Sequence, residues 1–411
     1  MLVDMKNCRK TKIPVAACWL GSLIALTACT QEVPQAEDLK LQDAQYIGQT
    51  MDIYNSWEIE SSVFLSAEDG VAGKELKKAG INYFPALRRL DSGFIATAPE
   101  ELILVDDETG AVRNIAMPDG DKGSLTKIAV ADKTPQNSTV AYEFNETGDN
   151  PVSGYDSIIV RIHDGVAKDS GRRIHPVSAM TACPDGSVHW IERDIGRDGS
   201  RWDFGPATYM YWASDADEPA EFPIAGQELG DSPVPQGSLG CNGETGYYVR
   251  GDFDDDRREY FATSTEITFN GAKVDVGETI DLGYLPEVRL SRFDDVDTKT
   301  KRYSVFDVDG NFSTVDLKTG EWKFDRVSVT PPMWGYSMTF DEKTAYMVKS
   351  APEGEKNVLE VLAIQLDDPT CKRSTRVSAY QGHEKSIGGL IGTNSMVPVN
   401  VFPPVPESSC G

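Results

Sequence analysis

The amino-acid sequence predicts an all-β protein: a seven-bladed β-propeller of four-stranded blades, with the ring closed by N-terminal strands. Two observations predict this fold. A strand-turn-strand unit recurs about every 50 residues, and apolar residues alternate with a period of two while helical periodicity is scarce. Repeats of about 40 to 50 residues that carry four short strands are the signature of propeller blades. Rings of six or eight blades are the alternatives.

The first 28 residues have the pattern of an export signal. A basic stretch precedes an uncharged run from Ile13 to Ala28. This run is shorter than the about 20 apolar residues of a membrane-spanning helix, and it suits the hydrophobic region of a signal peptide. We therefore predict that residues 1–28 are a signal peptide outside the folded domain.

The end of this segment, Leu26-Thr27-Ala28-Cys29, resembles the lipobox of bacterial lipoproteins. The resemblance implies that the Cys29 thiol receives a diacylglyceryl group and that acyl chains such as palmitate hold the protein at a membrane, since more than one chain anchors stably. The alternative is an ordinary signal peptide with a chance cysteine. Residues 29–42, polar and containing Pro34, are expected to form a flexible tether.

The body, residues 43–411, consists of repeated units. Its clearest half-units are "MTACPDGSVHWIERD", "SLGCNGETGYYVRGD" and "SMTFDEKTAYMVKS". Aligned by eye, the units begin near Phe84, Leu125, Val177, Gly237, Leu285, Met333 and His383. The seventh unit is truncated to about two strands, and strand-like segments precede the first full unit. We expect these N-terminal strands to complete the last blade, which removes two exposed sheet edges.

Individual segments show strand character. In "SIIVRIHDG", Ile158, Val160 and Ile162 share one face, as the period of two requires. The run from Leu102 to Val105 is continuously apolar, which is typical of a strand buried on both faces. The segment from Gly70 to Gly80 is the one credible short helix.

The segment "VDLKTG", Val315 to Gly320, contains the Lys-Thr-Gly triplet of serine β-lactamases, and Ser124 to Lys127 supplies a Ser-x-x-Lys. A related segment, "VDDETG" at Val105 to Gly110, has the same place in another unit, with glutamate instead of lysine. Glycine suits such a turn because it adopts positive φ without a Cβ clash. We interpret both segments as hairpin turns.

Four cysteines follow Cys29, and an even number in an exported chain predicts two disulfides, for which three pairings exist. Cys183 and Cys241 both follow the first strand of neighbouring units, whereas Cys371 ends the sixth unit and Cys410 lies near the terminus. Because a ring brings equivalent turns of adjacent blades together, we predict that Cys183 pairs with Cys241 and that Cys371 pairs with Cys410.

In its Pro-Asp-Gly turns and repeated strand phrases, the body resembles bacterial exported propellers of the TolB-like and YVTN or quinoprotein-like kind. The resemblance covers roughly residues 43 to 411 and is architectural. It implies a binding platform more often than an enzyme, and fold alone does not define function.

The formal net charge of −25 argues against nucleic acid as a partner, because an acidic surface repels phosphate. No cofactor and no metal ligand are assigned. Calcium is a weaker hypothesis that rests on three acidic groups, none with the glycine and glutamate spacing of an EF-hand loop. These groups are Asp252, Asp254 and Asp256; Asp307 and Asp309, interpreted as a hairpin; and Asp294, Asp295 and Asp297, interpreted as a polar loop.

No motif for a nucleophile, a zinc protease or a nucleotide phosphate is present, so no catalytic residue is assigned. Aromatic residues near loops are the better lead for a binding groove or an axial funnel, although packing between blades also explains them. These residues are Trp57, Trp202, Phe204, Trp334 and Tyr336.

We therefore expect a monomeric, lipid-anchored propeller at a bacterial cell membrane or outer membrane, facing outside the cytoplasm. It would bind an envelope protein, peptide or glycan. The alternative is a propeller enzyme, a hydrolase, lyase or quinoprotein-type oxidoreductase, with carboxylates at the axial funnel. A third hypothesis is an assembly factor for an envelope complex.

Overall fold

The fold was analysed in a computed structural model of the chain. The structure describes residues 39–54, 58–66, 74–81, 87–90, 93–98, 101–118, 124–131, 139–147, 155–163, 165–173, 175, 177–198, 201–224, 234–254, 259–285, 294–307, 309–329, 337–340, 343–350, 358–378 and 392–398. Cys29, Cys410, Trp57, Trp334, Tyr336 and Asp256 lie outside these ranges.

The described chain forms seven antiparallel sheets of four strands each, which confirms the predicted seven-bladed propeller. Blade 1 contains the first three strands of the chain, β1 (Tyr46–Tyr54), β2 (Glu58–Ser66) and β3 (Lys74–Ile81), together with the last described strand. Blades 2 and 3 follow as β4 (Leu87–Leu90), β5 (Gly93–Thr97), β6 (Glu101–Asp106), β7 (Val112–Ala116), β8 (Ser124–Ala131), β9 (Thr139–Thr147), β10 (Tyr155–His163) and β11 (Val166–Arg173).

The remaining blades repeat this plan. Blades 4 and 5 contain β12 (Val177–Ala182), β13 (Val188–Asp198), β14 (Arg201–Trp212), β15 (Ala220–Pro223), β16 (Val234–Ser238), β17 (Thr245–Asp254), β18 (Glu259–Phe269) and β19 (Val274–Leu285). Blades 6 and 7 contain β20 (Asp294–Asp297), β21 (Arg302–Phe306), β22 (Asn311–Asp316), β23 (Trp322–Ser328), β24 (Ser337–Phe340), β25 (Thr344–Ser350), β26 (Val358–Gln365) and β27 (Lys372–Ser378). The last described strand is β28 (Gly392–Pro398).

Blade 1 closes the ring. Its strand order is β28-β1-β2-β3, and β28 pairs antiparallel with β1 from Tyr46↔Pro398 to Met51↔Gly392. The predicted closure by N-terminal strands is confirmed, with three N-terminal strands and one described C-terminal strand. Both ends of the body are thereby held in one sheet.

Seven clusters of buried apolar side chains lie between neighbouring blades, one at each interface of the ring among the described residues. At the closing interface, Tyr46 of blade 1 packs with Tyr346 and Val361 of blade 7. Burial of apolar area contributes about 25 cal/mol per Å², so no blade hides its apolar faces without its two neighbours. The core is therefore distributed around the ring.

The first strand of each complete blade is innermost. Neighbouring inner strands contact each other around the axis, among them β8 with β12, β12 with β16, β16 with β20, and β24 with β28. Because strands alternate in direction, the described turns after the first and third strands of the blades lie on one face of the ring. We call this face the disulfide face, because the Cys183–Cys241 bond joins two of its turns.

Three expectations for local structure were wrong. The segment from Gly70 to Gly80 contains strand β3, which pairs with β2, and not a helix. Asp294, Asp295 and Asp297 lie in strand β20 and not in a loop. Trp202 and Phe204, expected outside regular strands, lie in β14 opposite Arg197 and Ile195.

The packed body begins before residue 43. Leu39 and Leu41, assigned from sequence to the tether, are buried in the cluster between blades 1 and 2, and Leu41–Asp43 forms a short 3-10 helix. An apolar residue every second position allowed this segment to cover the blade edge. Among the described residues, no helix is long and apolar enough to cross a membrane.

Candidate functional site

The turns that the sequence predicted are present with the expected chemistry. In "VDLKTG", the Asp316 carboxylate accepts hydrogen bonds from the backbone N–H groups of Lys318 and Thr319 at 2.9 and 2.8 Å, and Gly320 has φ +71°. In "VDDETG", Asp106 accepts equivalent bonds from Thr109. Both segments connect the third and fourth strands of a blade, so the Lys-Thr-Gly triplet is a structural turn.

The disulfide between Cys183 and Cys241 is confirmed, with Cα atoms 5.6 Å apart. It joins the first turn of blade 4 to the first turn of blade 5, as the ring geometry requires. Cys371 is also disulfide-bonded. Its pairing with Cys410 remains a prediction, because Cys410 lies outside the described residues.

The disulfide face contains a cavity of about 700 Å³ beside the propeller axis. Residues at the ends of four consecutive inner strands line it: Thr181 of β12, Ser238 of β16, Asp295 of β20 and Phe340 of β24. The turns that follow β16 and β20 complete its wall, and Cys241 belongs to this wall. We call this space the axial cavity.

Carboxylates and an aromatic ring face the axial cavity from different blades. Asp295 and Asp297 are half-buried and share one face of β20, whereas Val296 packs into the core between blades 5 and 6 on the other face. Phe340 is half-buried on blade 7. The Thr298 hydroxyl donates a hydrogen bond to Ser238 Oγ at 2.5 Å and so joins blades 5 and 6 at the rim.

The two carboxylates have different partners. Asp297 holds its own turn by accepting hydrogen bonds from the backbone N–H groups of Lys299 and Thr300 at 2.9 and 3.1 Å, and Arg302 lies 3.6 Å from its other oxygen. Asp295 lies deeper. Burial and the neighbouring Asp297 charge raise the pKa of Asp295 to about 6, against the opposing charges of Arg302 and Arg88.

Arg88, whose charge lowers the pKa of Asp295, comes from a distant blade. Arg88 belongs to β4, the inner strand of blade 2, and Asp295 belongs to blade 6, three blades away around the ring. A carboxylate with a raised pKa in a cavity is an arrangement common at functional sites. From the sequence, Asp295 was predicted only as one of several loop acids, and no local pattern indicates its place in the cavity wall.

A second arrangement, Ser187 with His189, has the composition of a nucleophile and base but not their geometry. Ser187 Oγ donates to Asp185 at 2.6 Å and lies 3.0 Å from His189 Nε2, while Tyr209 lies 2.8 Å from His189 Nδ1. Since the Ser187 proton points to Asp185, His189 Nε2 must donate and cannot act as base. Ser187 and His189 are both buried, and neither lines the axial cavity.

The acidic residues in the described part of the chain do not group as metal ligands. Among the described residues, no three His, Cys, Asp or Glu side chains form a group that could hold a metal ion. Asp307 accepts hydrogen bonds from Asp309 N and Asn311 N at 2.9 Å each, which confirms the hairpin interpretation of this acidic pair. Asp252 and Asp254 are described only as backbone positions of β17.

Fold and site together define a seven-bladed β-propeller with a charged axial cavity at one mouth of the ring. No family model and no curated protein sequence matches the chain. Solved structures similar to it include AztD of Citrobacter koseri, with 12% identity, 86% of this chain and 98% of that chain covered, and a TM-score of 0.42.

TolB of Acinetobacter baumannii is similar at 11% identity over 85% of this chain and 86% of that chain, with a TM-score of 0.40. The tricorn protease is similar at 12% identity over 69% of this chain, with a TM-score of 0.40, and the chain spans 30% of its length. At these values the assignment of the fold rests on the strand pairing of the chain itself.

Proposed function

We propose that the chain is an exported binding module that holds an envelope protein, peptide or glycan in the axial cavity. The observation that carries this proposal is the cavity of about 700 Å³ at the ends of four consecutive inner strands. A concave space at the rigid centre of a ring, with a few polar groups and one ring on its wall, is the usual form of a binding site. Loops on the same face supply further contact area.

The Cys183–Cys241 disulfide supports a location outside the cytoplasm, because reducing systems keep cytoplasmic thiols free. We further propose that lipidated Cys29 anchors a monomeric protein to a bacterial cell membrane or outer membrane. Replacing Cys29 with Ala tests this proposal by membrane fractionation. Loss of membrane retention with unchanged total protein is expected, whereas undiminished retention would refute lipidation.

The binding proposal is tested by occluding the axial cavity in the full-length protein. Thr298→Trp places an indole at the rim between blades 5 and 6. Glu108→Trp adds the same side chain to an exposed turn on the same face of blade 2, and serves as a matched control. A photo-crosslinking amino acid at position 299 then reports what occupies the cavity in intact cells, read by mass spectrometry of the crosslinked products.

We expect Glu108→Trp to retain the crosslinked products of the wild type, and Thr298→Trp to lose them by at least about tenfold, the factor of a 1.4 kcal/mol loss in binding free energy. Both variants should keep the melting temperature within a few degrees. Identical products from all three proteins would refute binding in the axial cavity.

The second candidate is a propeller enzyme that uses Asp295 as a proton donor or acceptor. Its support is the pKa of about 6, which suits general acid-base catalysis near neutral pH. The described histidines, His163, His175 and His189, do not line the cavity. The enzyme would be favoured if the protein turns over glycan or ester substrates and Asp295→Asn abolishes this turnover without loss of binding.

A further inference from the structure

Building on the proposed binding function, we infer that the axial cavity takes a lysine or arginine side chain from a peptide segment of a protein partner. The cation would lie against Asp295, and its aliphatic stem would lie along Phe340. This inference names the chemistry of the ligand, whereas the proposed function leaves a protein, peptide or glycan open.

The distribution of charge at the cavity supports a cation as the ligand. Asp295 is set back on β20, whereas Lys299 and Lys301 are exposed on the turn that follows it. The deep position is thus acidic and the basic groups stand at the rim. An anion entering the cavity would meet Asp295 and Asp297 at its inner end.

Asp295 and Asp297 differ in how far neighbouring groups compensate their negative charge. Asp297 has its turn N–H groups and Arg302 as partners. At Asp295, the cost of burial and the repulsion by Asp297 together exceed the stabilisation that Arg302 and Arg88 provide, because its pKa is raised in spite of both positive charges. A further positive charge beside Asp295 in the cavity wall would therefore be favourable.

An apolar ring in the cavity matches the stem of a long basic side chain. Phe340 lines the cavity from blade 7. Lysine and arginine bury their methylene groups along apolar surface while the charged end reaches a polar partner. A small inorganic cation would leave the Phe340 ring uncovered, whereas the methylene groups of lysine or arginine would cover it.

The negative net charge of the whole chain also favours a basic ligand. With 65 acidic and 40 basic residues, the protein attracts basic partners over a distance of about a Debye length, roughly 10 Å at 0.1 M salt. Such attraction accelerates encounter, and the cavity then selects the side chain that enters.

The test uses acetylated and amidated pentapeptides, Gly-Ser-X-Ser-Gly, in which X is lysine, arginine, norleucine or glutamine. Norleucine has the stem of lysine without its charge and is the matched control. Spermidine represents a free amine. Binding to the full-length protein is measured by ligand-observed NMR for wild type, Asp295→Asn, Asp295→Ser and Asp217→Asn. Asp217 is an exposed acid on the same face of blade 4, outside the cavity, paired with Lys168.

We expect the lysine and arginine peptides to bind at least about tenfold more tightly than the norleucine peptide, since a charged hydrogen bond contributes more than that factor. Both Asp295 variants should remove this difference, and Asp217→Asn should keep it. Circular dichroism spectra confirm that each variant is folded, and the serine variant guards against a structural effect of the asparagine amide.

Other outcomes separate the two proposals. Equal binding of the norleucine and lysine peptides, abolished by Thr298→Trp, would overturn the cation and leave the binding function. Failure of every peptide to bind, or spermidine binding that needs Asp295 while the peptides do not bind, would overturn the peptide partner. Loss of the crosslinking difference between Thr298→Trp and Glu108→Trp would overturn the binding function itself.

Discussion

Lys301 occupies a backbone conformation that glycine occupies in two related turns. Its φ is 55°, and it ends the turn "VDTKTK" as Gly320 ends "VDLKTG" and Gly110 ends "VDDETG". An L-residue in the left-handed region is strained by about 1 to 2 kcal/mol, and glycine avoids this strain. Glycine recovers only part of that free energy, because it also raises the conformational entropy of the unfolded chain.

We therefore expect Lys301→Gly to raise the free energy of unfolding by about 0.5 to 1 kcal/mol, measured by urea denaturation. Gly320→Ala is the reverse experiment, because Gly320 has φ +71° and an added Cβ would lie 2.7 Å from the Asp281 carbonyl oxygen. It should lower the free energy of unfolding by more than 1 kcal/mol. A stabilising alanine at position 320 would contradict this account of the turns.

His189 makes the fold sensitive to acid. Burial lowers its pKa from 6.5 to about 4, against a smaller opposing effect of the Asp185 charge. The unfolded chain protonates this histidine near pH 6.5 and the folded chain only near pH 4, so its stabilisation is complete above pH 6.5 and is lost as the pH falls towards 4. The two pKa values correspond to about 3 kcal/mol.

The expected result is that His189→Gln has a flatter dependence of unfolding free energy on pH between 6.5 and 4 than the wild type, although it is less stable at pH 7. Urea denaturation at each pH measures the difference. His163→Gln, which removes the half-buried histidine of blade 3, is the matched substitution for comparison. An unchanged slope in His189→Gln would mean that folding does not lower the pKa of His189.

At the scale of strands and blades, pairs of charged groups fix neighbouring sheets. Arg173 of β11 donates two hydrogen bonds to Glu192 of β13, at 2.8 and 3.1 Å, and one to Glu221 of β15 at 3.0 Å. Glu192 is buried and also accepts a hydrogen bond from Trp190 Nε1 at 2.7 Å. Blade 3 therefore holds blade 4 through one guanidinium that satisfies a buried carboxylate.

Arg173→Ala should lower the free energy of unfolding by about 3 to 5 kcal/mol, because it leaves the Glu192 carboxylate buried with a single donor. Chemical denaturation measures the loss. Arg172→Ala, at the exposed neighbouring position, should change stability by less than 1 kcal/mol. If both substitutions cost the same, the pair with Glu192 is not what joins blades 3 and 4. The combined variant Arg173→Ala, Glu192→Gln should recover part of the loss.

Strands could be predicted from the sequence where the pattern of apolar residues matches the burial of these residues in the blade. Leu102 to Val105 are all buried in the middle of blade 2, as a continuous apolar run predicts. The segment from Gly70 to Gly80 was predicted as a helix from Leu76 and its closing glycine, but it contains the outer strand β3, Lys74–Ile81. Pairing with β2 overrides this local pattern.

The axial cavity could not be predicted from the sequence because it exists only where inner strands of several blades meet. Its signal in the sequence is the short acidic strand "DDVD", which precedes a turn of the same type as "VDLKTG". The turn was recognisable, but not the place of Asp295 in the cavity wall, where the charges of Asp297, Arg302 and Arg88 act on its carboxylate. Long-range contacts of this kind leave no local pattern.

At the scale of the whole molecule, the excess of acidic residues opposes the compact state. Repulsion among like charges destabilises a folded protein with a net charge of −25, and salt screens it. The closed ring places the charges of the described residues on a single body, with its first and last described strands joined by pairing of β1 with β28. We therefore expect the melting temperature to rise as NaCl increases from about 0.02 to 0.2 M.

The same titration decides between general screening and a specific calcium site. At equal ionic strength, CaCl₂ and MgCl₂ should raise the melting temperature equally, since Asp307 is held by turn N–H groups, Asp297 lies beside Arg302, and no cluster of metal ligands forms among the described residues. A bound ion would add a shift that follows RT ln(1 + [L]/Kd) and saturates at low concentration. A saturable increase with calcium alone, reversed by a chelator and absent in Asp252→Asn, would establish a calcium site on β17 and contradict screening as the sole effect.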